Sequence, residues 1–189
     1  MALTTIDPVT ALIVVDLQNG LIGLPTAHPL DGVVARAATL AAAFRDLKLP
    51  VVLVNVTGGA PGRTEQPRRT VPTSAGWSDF VPALQQRSDD HVVTKQTWGA
   101  FSGTDLADYL KAAGVTQVVI AGVATSAGVE STARQAHELG FHVTLVVDAM
   151  TDMNLDAHHN SVARIFPRLG ETGTTQDVLD LLSKEHHPR

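Results

Sequence analysis

Residues 118–152 read VVIAGVATSAGVESTARQAHELGFHVTLVVDAMTD, and this stretch decides the fold class. It starts with an aliphatic run, passes through a turn rich in glycine and alanine, and continues with a helical pattern that stops at Gly140. A second aliphatic run follows at 142–147. Glycine directly after the last helical residue is a common helix terminator. The order of strand, helix and strand predicts a βαβ unit with parallel strands.

The same alternation extends outward in both directions. Short aliphatic runs, typical of strands covered on both faces, occur at Ala11–Val15, Val51–Val56, His91–Thr94 and Gln117–Ala121. Helical patterns lie between and after the runs, at 33–47, 104–113, 129–139, 156–166 and 175–183. The chain is therefore predicted to be an α/β protein, with a mostly parallel sheet between two layers of helices.

A chain of 189 residues fits one domain by the prior of about 150 residues each, so we expect a single domain over 1–189. One segment of this domain interrupts the alternation of strands and helices. Glycine, proline and arginine are concentrated around 57–87, which predicts a flap or long loop. Arginines of this flap, Arg63, Arg68 or Arg69, are candidates for closing on an anionic substrate.

The composition excludes several classes of function. Hydrophobic residues make up 44% of the chain and charged residues 17%, as in ordinary globular proteins. The net charge of −5 argues against a nucleic-acid partner. The aliphatic runs are too short to span a membrane, and the first ten residues lack the features of a signal peptide, so a cytoplasmic location is expected. Without cysteine, the chain has no disulfide, thiolate metal site or cysteine nucleophile.

Three strand ends carry residues that suggest chemistry. Asp16 follows the first run, Lys95 follows the third, and the turn over 122–128 follows the fourth. In an open parallel sheet, ligands bind beyond the carboxyl ends of the strands. Each feature also has an ordinary structural explanation: an aspartate can form a turn, a lysine can lie at the surface, and the turn can simply connect a strand to a helix.

Together with the segments around them, these residues resemble the isochorismatase-like hydrolase superfamily, which has the cysteine-hydrolase fold. The matching segments are ALIVVDLQNG (11–20), VVTKQTWGAFSGTDL (92–106) and 118–152. The resemblance implies a six-stranded, Rossmann-like α/β fold, a hydrolase of small molecules without a cofactor, and a homo-oligomer. It places the catalytic aspartate at Asp16 and the catalytic lysine at Lys95. It also implies a cis peptide bond between Val123 and Ala124, in a turn that aims backbone N–H groups at an oxyanion.

The sequence departs from the amidases of this superfamily at position 128. Their nucleophilic cysteine corresponds to Gly128, which has no nucleophile, so an amidase that forms a thioester is disfavoured. The nicotinamidases of the superfamily hold a metal through an Asp-x-His pair after the second strand. Here, residues 55–59 read NVTGG, so no metal is expected.

True isochorismatases also carry glycine at this position and hydrolyse a vinyl ether without a covalent intermediate. By this resemblance, Asp16 protonates the substrate and Lys95 holds a substrate carboxylate. Further substrate-binding candidates are Gln18, Trp98, Phe101, Val123, Ala124 and Thr125. Two alternatives stay open: an inactive or ligand-binding homologue, and a C–N amidohydrolase that works without cysteine. Ser126 is a poor replacement nucleophile, because it lies two residues before position 128 and no histidine base is evident.

Overall fold

The structure is a computed structural model that describes residues 3–66, 72 and 74–186. Its sheet has six strands, all parallel, in the order β3-β2-β1-β4-β5-β6. The strands are β1 (Thr10–Val15), β2 (Val51–Val56), β3 (His91–Lys95), β4 (Gln117–Val123), β5 (His142–Thr151) and β6 (Glu171–Gly173). The predicted six-stranded α/β fold is confirmed.

Helices cover both faces of this sheet. They are α1 (Leu30–Asp46), α2 (Leu106–Ala112), α3 (Glu130–Glu138), α4 (Leu155–Asn160) and α5 (Thr175–His186). One apolar core joins the sheet to α1 and α5, and a second joins the opposite face to α2 and α3. None of the helices in the described part of the chain has the length and apolar character needed to cross a membrane.

The continuous hydrophobicity of β1 follows from its central position. Leu12 and Val14 pack into the core under α1, whereas Ile13 and Val15 pack into the core under α3. All six residues of β1 are buried. A central parallel strand has no solvent-facing side, so its sequence shows no alternation of polar and apolar residues.

The structure differs from the sequence-based prediction near the C-terminus. The three-residue strand β6 was not located, because so short an edge strand leaves almost no sequence pattern. The predicted helix over 156–166 is α4 followed by a π-helical turn at Ser161–Ile165 and a 3₁₀ turn at Phe166–Arg168. Pro167 in the last turn prevents a regular α-helix from continuing.

The strand order reverses between β1 and β4, the place where open α/β sheets bind ligands. Gly122, near the end of β4, has a φ of 121°. A Cβ atom there would collide with the backbone of Val15. Glycine at 122 therefore permits the close approach of β1 and β4 beneath the candidate site.

Candidate active site

Asp16 and Lys95 form a buried ion pair at the carboxyl ends of β1 and β3. Lys95 Nζ donates hydrogen bonds to Asp16 Oδ2 at 2.7 Å and to the Thr97 carbonyl at 3.1 Å. The side chains of Asp16 and Lys95 are only 7% and 2% exposed. The second carboxylate oxygen, Asp16 Oδ1, is buried and has no hydrogen-bond partner among the residues that the structure describes. One oxygen of Asp16 is thus held by lysine, whereas the hydrogen-bonding capacity of the other is not used by any described residue.

Burial raises the pKa of Asp16 to about 6, although the Lys95 ammonium and its hydrogen bond act in the opposite direction. Desolvation therefore outweighs the ion pair, and the carboxyl group holds its proton into the mildly acidic range. Oδ2 already accepts a hydrogen bond from Lys95. The proton of the neutral acid accordingly belongs on Oδ1, the oxygen without a partner.

Gly128 lies directly beside this carboxylate. The peptide bond between Val123 and Ala124 is cis, and a π-helical turn over Thr125–Val129 then leads into α3. A Cβ atom at 128 would lie 3.2 Å from Asp16 Oδ2 and 3.0 Å from Val15 Cγ1. The structure therefore brings together Asp16, Lys95 and Gly128, the three residues that the sequence placed at separate strand ends.

Two side chains near the carboxyl end of β5 hold this turn. Asp152 Oδ2 accepts hydrogen bonds from both the backbone N–H and the hydroxyl of Ser126, each at 2.7 Å. Thr125 Oγ1 lies 2.8 Å from His158 Nδ1 and is fully buried. The Ser126 hydroxyl is thus engaged by a carboxylate, and its N–H is not free for an oxyanion. Sequence reasoning did not identify the contact between Thr125 and His158.

The loop after β3 is fastened to α3 by two polar side chains that sequence reasoning did not identify. Thr132 Oγ1 donates to the Gly128 carbonyl at 2.7 Å and accepts from the Ala100 N–H at 3.1 Å. Gln135 Oε1 accepts from the Phe101 N–H at 3.1 Å. Thr132 and Gln135 are about one turn apart on α3. This spacing predicts that they share a face of the helix, but it does not predict what that face contacts.

Of three other predicted binding residues, two have partners outside this cluster and the third is largely exposed. Gln18 is fully buried, and its amide bonds to the backbone N–H and carbonyl of Val56, at 2.8 and 3.1 Å. We therefore assign Gln18 to the fold rather than to substrate. Phe101 packs on Phe141, 6.1 Å between ring centroids, next to the amino end of β5 and therefore away from the site. Trp98 is 66% exposed.

Part of the predicted flap lies against the loop that follows β1. The Asn19 and Gly20 N–H groups donate to the carbonyls of Asp79 and Trp77, each at 2.8 Å. Asn55 Nδ2 donates to the Ser78 carbonyl at 2.9 Å. Residues 76–80 are therefore fixed beside the loop that carries Asp16. Of the flap arginines, Arg63 is exposed, whereas Arg68 and Arg69 lie outside the described residues.

No three histidine, aspartate or glutamate side chains within 3–66, 72 and 74–186 are grouped so that they could hold a metal ion. The expectation of a metal-free site stays a prediction.

Comparison with known proteins identifies the class. The Isochorismatase domain family matches residues 10–177, so the chain belongs to the isochorismatase family. An isochorismatase family protein from Burkholderia thailandensis has a solved structure with a TM-score of 0.92 and 41% identity, covering 95% of this chain and 98% of that chain. YecD, an uncharacterized isochorismatase family protein of Escherichia coli O157:H7, is 39% identical over 184 residues, which are 92% of this chain and 96% of YecD.

A relative with a named activity is the maleamate amidohydrolase of Pseudomonas putida. It is 31% identical over 185 residues, covering 91% of this chain and 86% of the relative. Members of the family are hydrolases, so the chain is a hydrolase that acts on small molecules. The predicted family and class of enzyme are confirmed.

Proposed function

We propose that this hydrolase cleaves a small anionic vinyl ether of the isochorismate type, with Asp16 as general acid and without a covalent intermediate. The observation that supports this proposal is the state of Asp16. Its pKa is raised to about 6, its Oδ1 has no partner in the described part of the chain, and its neighbour at position 128 is glycine. A carboxyl group kept neutral by burial is a competent proton donor near neutral pH.

The reaction needs one proton and one water molecule. Asp16 Oδ1 gives its proton to the terminal carbon of the enol ether, and the resulting oxocarbenium ion takes up water. The hemiketal then loses the alcohol and becomes a ketone, while the proton released by the water returns to the Asp16 carboxylate. The atoms of the substrate and one water molecule are all accounted for by the alcohol and the 2-oxo acid. The reaction therefore requires neither an oxidant nor a nucleophilic side chain.

Lys95 contributes in two ways to this reaction. Its ammonium lies 2.7 Å from Asp16 Oδ2, so it stabilises the carboxylate that remains after proton transfer. Two of its donors are used by Asp16 and Thr97, and the third is available for the substrate carboxylate. We expect Val123, Ala124 and Thr125, which lead into the turn that carries Gly128, to lie beside the substrate.

The test is an assay of isochorismate hydrolysis, in which the reaction is monitored by the release of pyruvate. The Asp16→Asn variant keeps the shape of the side chain but has no acidic proton, so its kcat should fall by about 10²- to 10⁴-fold. Asp108→Asn makes the same chemical change at an exposed position of α2 and should retain full activity. No pyruvate above background with the wild-type protein, or equal rates with Asp16→Asn, would refute the proposal.

A second candidate function is hydrolysis of a C–N bond without cysteine. The 31% identity to maleamate amidohydrolase over most of both chains favours it. Ammonia release from maleamate, measured beside the pyruvate assay, separates the two. Ammonia without pyruvate would replace the first proposal, whereas binding of isochorismate without turnover would indicate a ligand-binding homologue.

We also propose that the protein is cytoplasmic and, as the family resemblance implies, that it is a homo-oligomer. Light scattering on the purified protein tests the assembly, and fractionation of the source cells tests the location.

A further inference from the structure

A buried histidine contacts the turn of the site at Thr125. His158, on α4, is 7% exposed, and its Nδ1 lies 2.8 Å from the Thr125 hydroxyl. The next residue, His159, is exposed and points to a different face of the helix. One histidine of this adjacent pair therefore contacts the site turn, and the other provides a matched comparison.

The ring of His158 is itself held in place. The His28 ring packs edge-on against it, 4.8 Å between centroids. His28 is anchored to Thr151, the last residue of β5, by its backbone N–H at 3.1 Å and by its Nδ1 at 3.0 Å from the threonine hydroxyl. Thr151 is in register with Val123, which begins the cis peptide bond. His28 and His158 together thus connect the end of β5 to the turn that follows β4.

We propose that His158 is a positioning residue, which in its neutral form accepts the Thr125 hydroxyl hydrogen and so fixes the turn that places Gly128 against Asp16. Asp152 holds the next residue of the turn, Ser126, through two hydrogen bonds. These two anchors act on consecutive residues. Asp152 accepts through a carboxylate oxygen, whereas His158 is an acceptor only while its Nδ1 carries no proton.

The surroundings of His158 favour the neutral ring. Its pKa is lowered by burial first and then by His28 and His159, and the carboxylate of Asp152 opposes them. His28, His159 and Asp152 are the titratable groups of the described residues that act on the ring. When the ring is protonated, Nδ1 becomes a donor, so the Thr125 hydroxyl must accept and turn its own hydrogen elsewhere. Because Thr125 is fully buried, this hydrogen has to find a new partner within the turn.

The role of His158 predicts a pH dependence of kcat/KM, which rests on the proposed function. Protonated Asp16 is needed as the acid, so kcat/KM declines as Asp16 ionises at higher pH. Protonation of His158 disturbs the turn, so kcat/KM also declines at lower pH. The two together give a bell-shaped profile with one limb from each residue.

The first experiment follows the backbone amide of Gly128 by NMR during a pH titration. It uses an Asp16→Asn background, because the carboxyl of Asp16 titrates beside Gly128 and would obscure the effect. The amide shift should show an inflection that disappears in His158→Asn, whose side-chain oxygen still accepts from Thr125 but does not titrate. His159→Asn should keep the inflection. An inflection that persists in His158→Asn overturns the proposal.

The second experiment measures kcat/KM for isochorismate in proteins that retain Asp16. The acid limb should fall about tenfold per pH unit in the wild type and in His159→Asn, as for a single protonation, and should be flat in His158→Asn. A purely structural role would lower the rate at every pH and leave the limb in place, which would refute the positioning role. If isochorismate is not turned over, the proposed function fails, while the NMR titration still decides the role of His158.

Discussion

The buried carboxyl of Asp16 should make the protein less stable as the pH rises from about 4 to 7. The folded state holds the Asp16 proton more tightly than the unfolded chain, because the pKa is about 6 in place of its ordinary 3.8. Where the folded state binds more protons, the free energy of unfolding decreases with increasing pH. The stabilisation is therefore complete at low pH and is lost as the pH passes through the folded-state pKa.

The magnitude follows from the two pKa values. The full difference between them corresponds to about 3 kcal/mol, because each pKa unit is worth about 1.4 kcal/mol. The Asp16 carboxyl of the unfolded chain is already partly ionised at pH 4, so about 2 kcal/mol of the stabilisation remains to be lost between pH 4 and pH 7. The cause is the burial of a negative charge, which the Lys95 ammonium compensates only in part.

The measurement is urea unfolding of the wild type and of Asp16→Asn at a series of pH values. Other groups titrate in the same range, but they contribute equally to both proteins, so the difference between the two curves isolates Asp16. Leaving Lys95 buried without its carboxylate adds an offset to this difference. Relative to Asp16→Asn, the wild type should lose about 2 kcal/mol over this range. A constant difference would refute the raised pKa and, with it, the role of Asp16 as a general acid.

Two further outcomes are expected. Arg45 binds Asp90 through two hydrogen bonds of 2.9 and 2.7 Å, with side chains 4% and 1% exposed, next to the amino end of β3. Asp90→Asn should therefore lower the free energy of unfolding by about 3–5 kcal/mol in urea melts while kcat is retained, and a loss below 1 kcal/mol would contradict this. Gly128→Cys should lower the free energy of unfolding by about 1–3 kcal/mol, because the new Cβ lies only 3.0–3.2 Å from its neighbours. Unchanged stability would show that the site has more room than this.

The sequence predicted the architecture well, since central parallel strands are apolar on both faces and helices alternate with them. The sequence also predicted that Asp16, Lys95 and Gly128 lie together, because parallel strands end at a common edge of the sheet, and the structure places them side by side. Their catalytic roles stay predictions. The short strand β6 and the irregular end of α4 were missed, since three-residue strands and π-helical turns leave no periodic signal.

Other failures concern side-chain direction. Gln18 lies two residues after Asp16, and in a regular strand the two would share a face. Asp16, however, has a φ of 54°, which turns the chain, so Gln18 binds the backbone of Val56. The contact of His158 with Thr125 joins residues 33 positions apart in different elements. Helical periodicity predicts that His158 and His159 lie on different faces of the helix, but it does not predict which residues either of them contacts.

Gly128 and the proposed acid role of Asp16 depend on each other. A side chain at 128 would begin 3.2 Å from Asp16 Oδ2, so a thiol there would present a donor to the carboxylate. A hydrogen bond to the charged form lowers the pKa of a carboxyl group. Glycine provides no such donor, Oδ1 has no partner among the described residues, and desolvation then prevails over Lys95. Glycine at 128, where the family resemblance places a nucleophile, thereby favours the protonated acid, which is the form that the proposed hydrolysis of a vinyl ether requires.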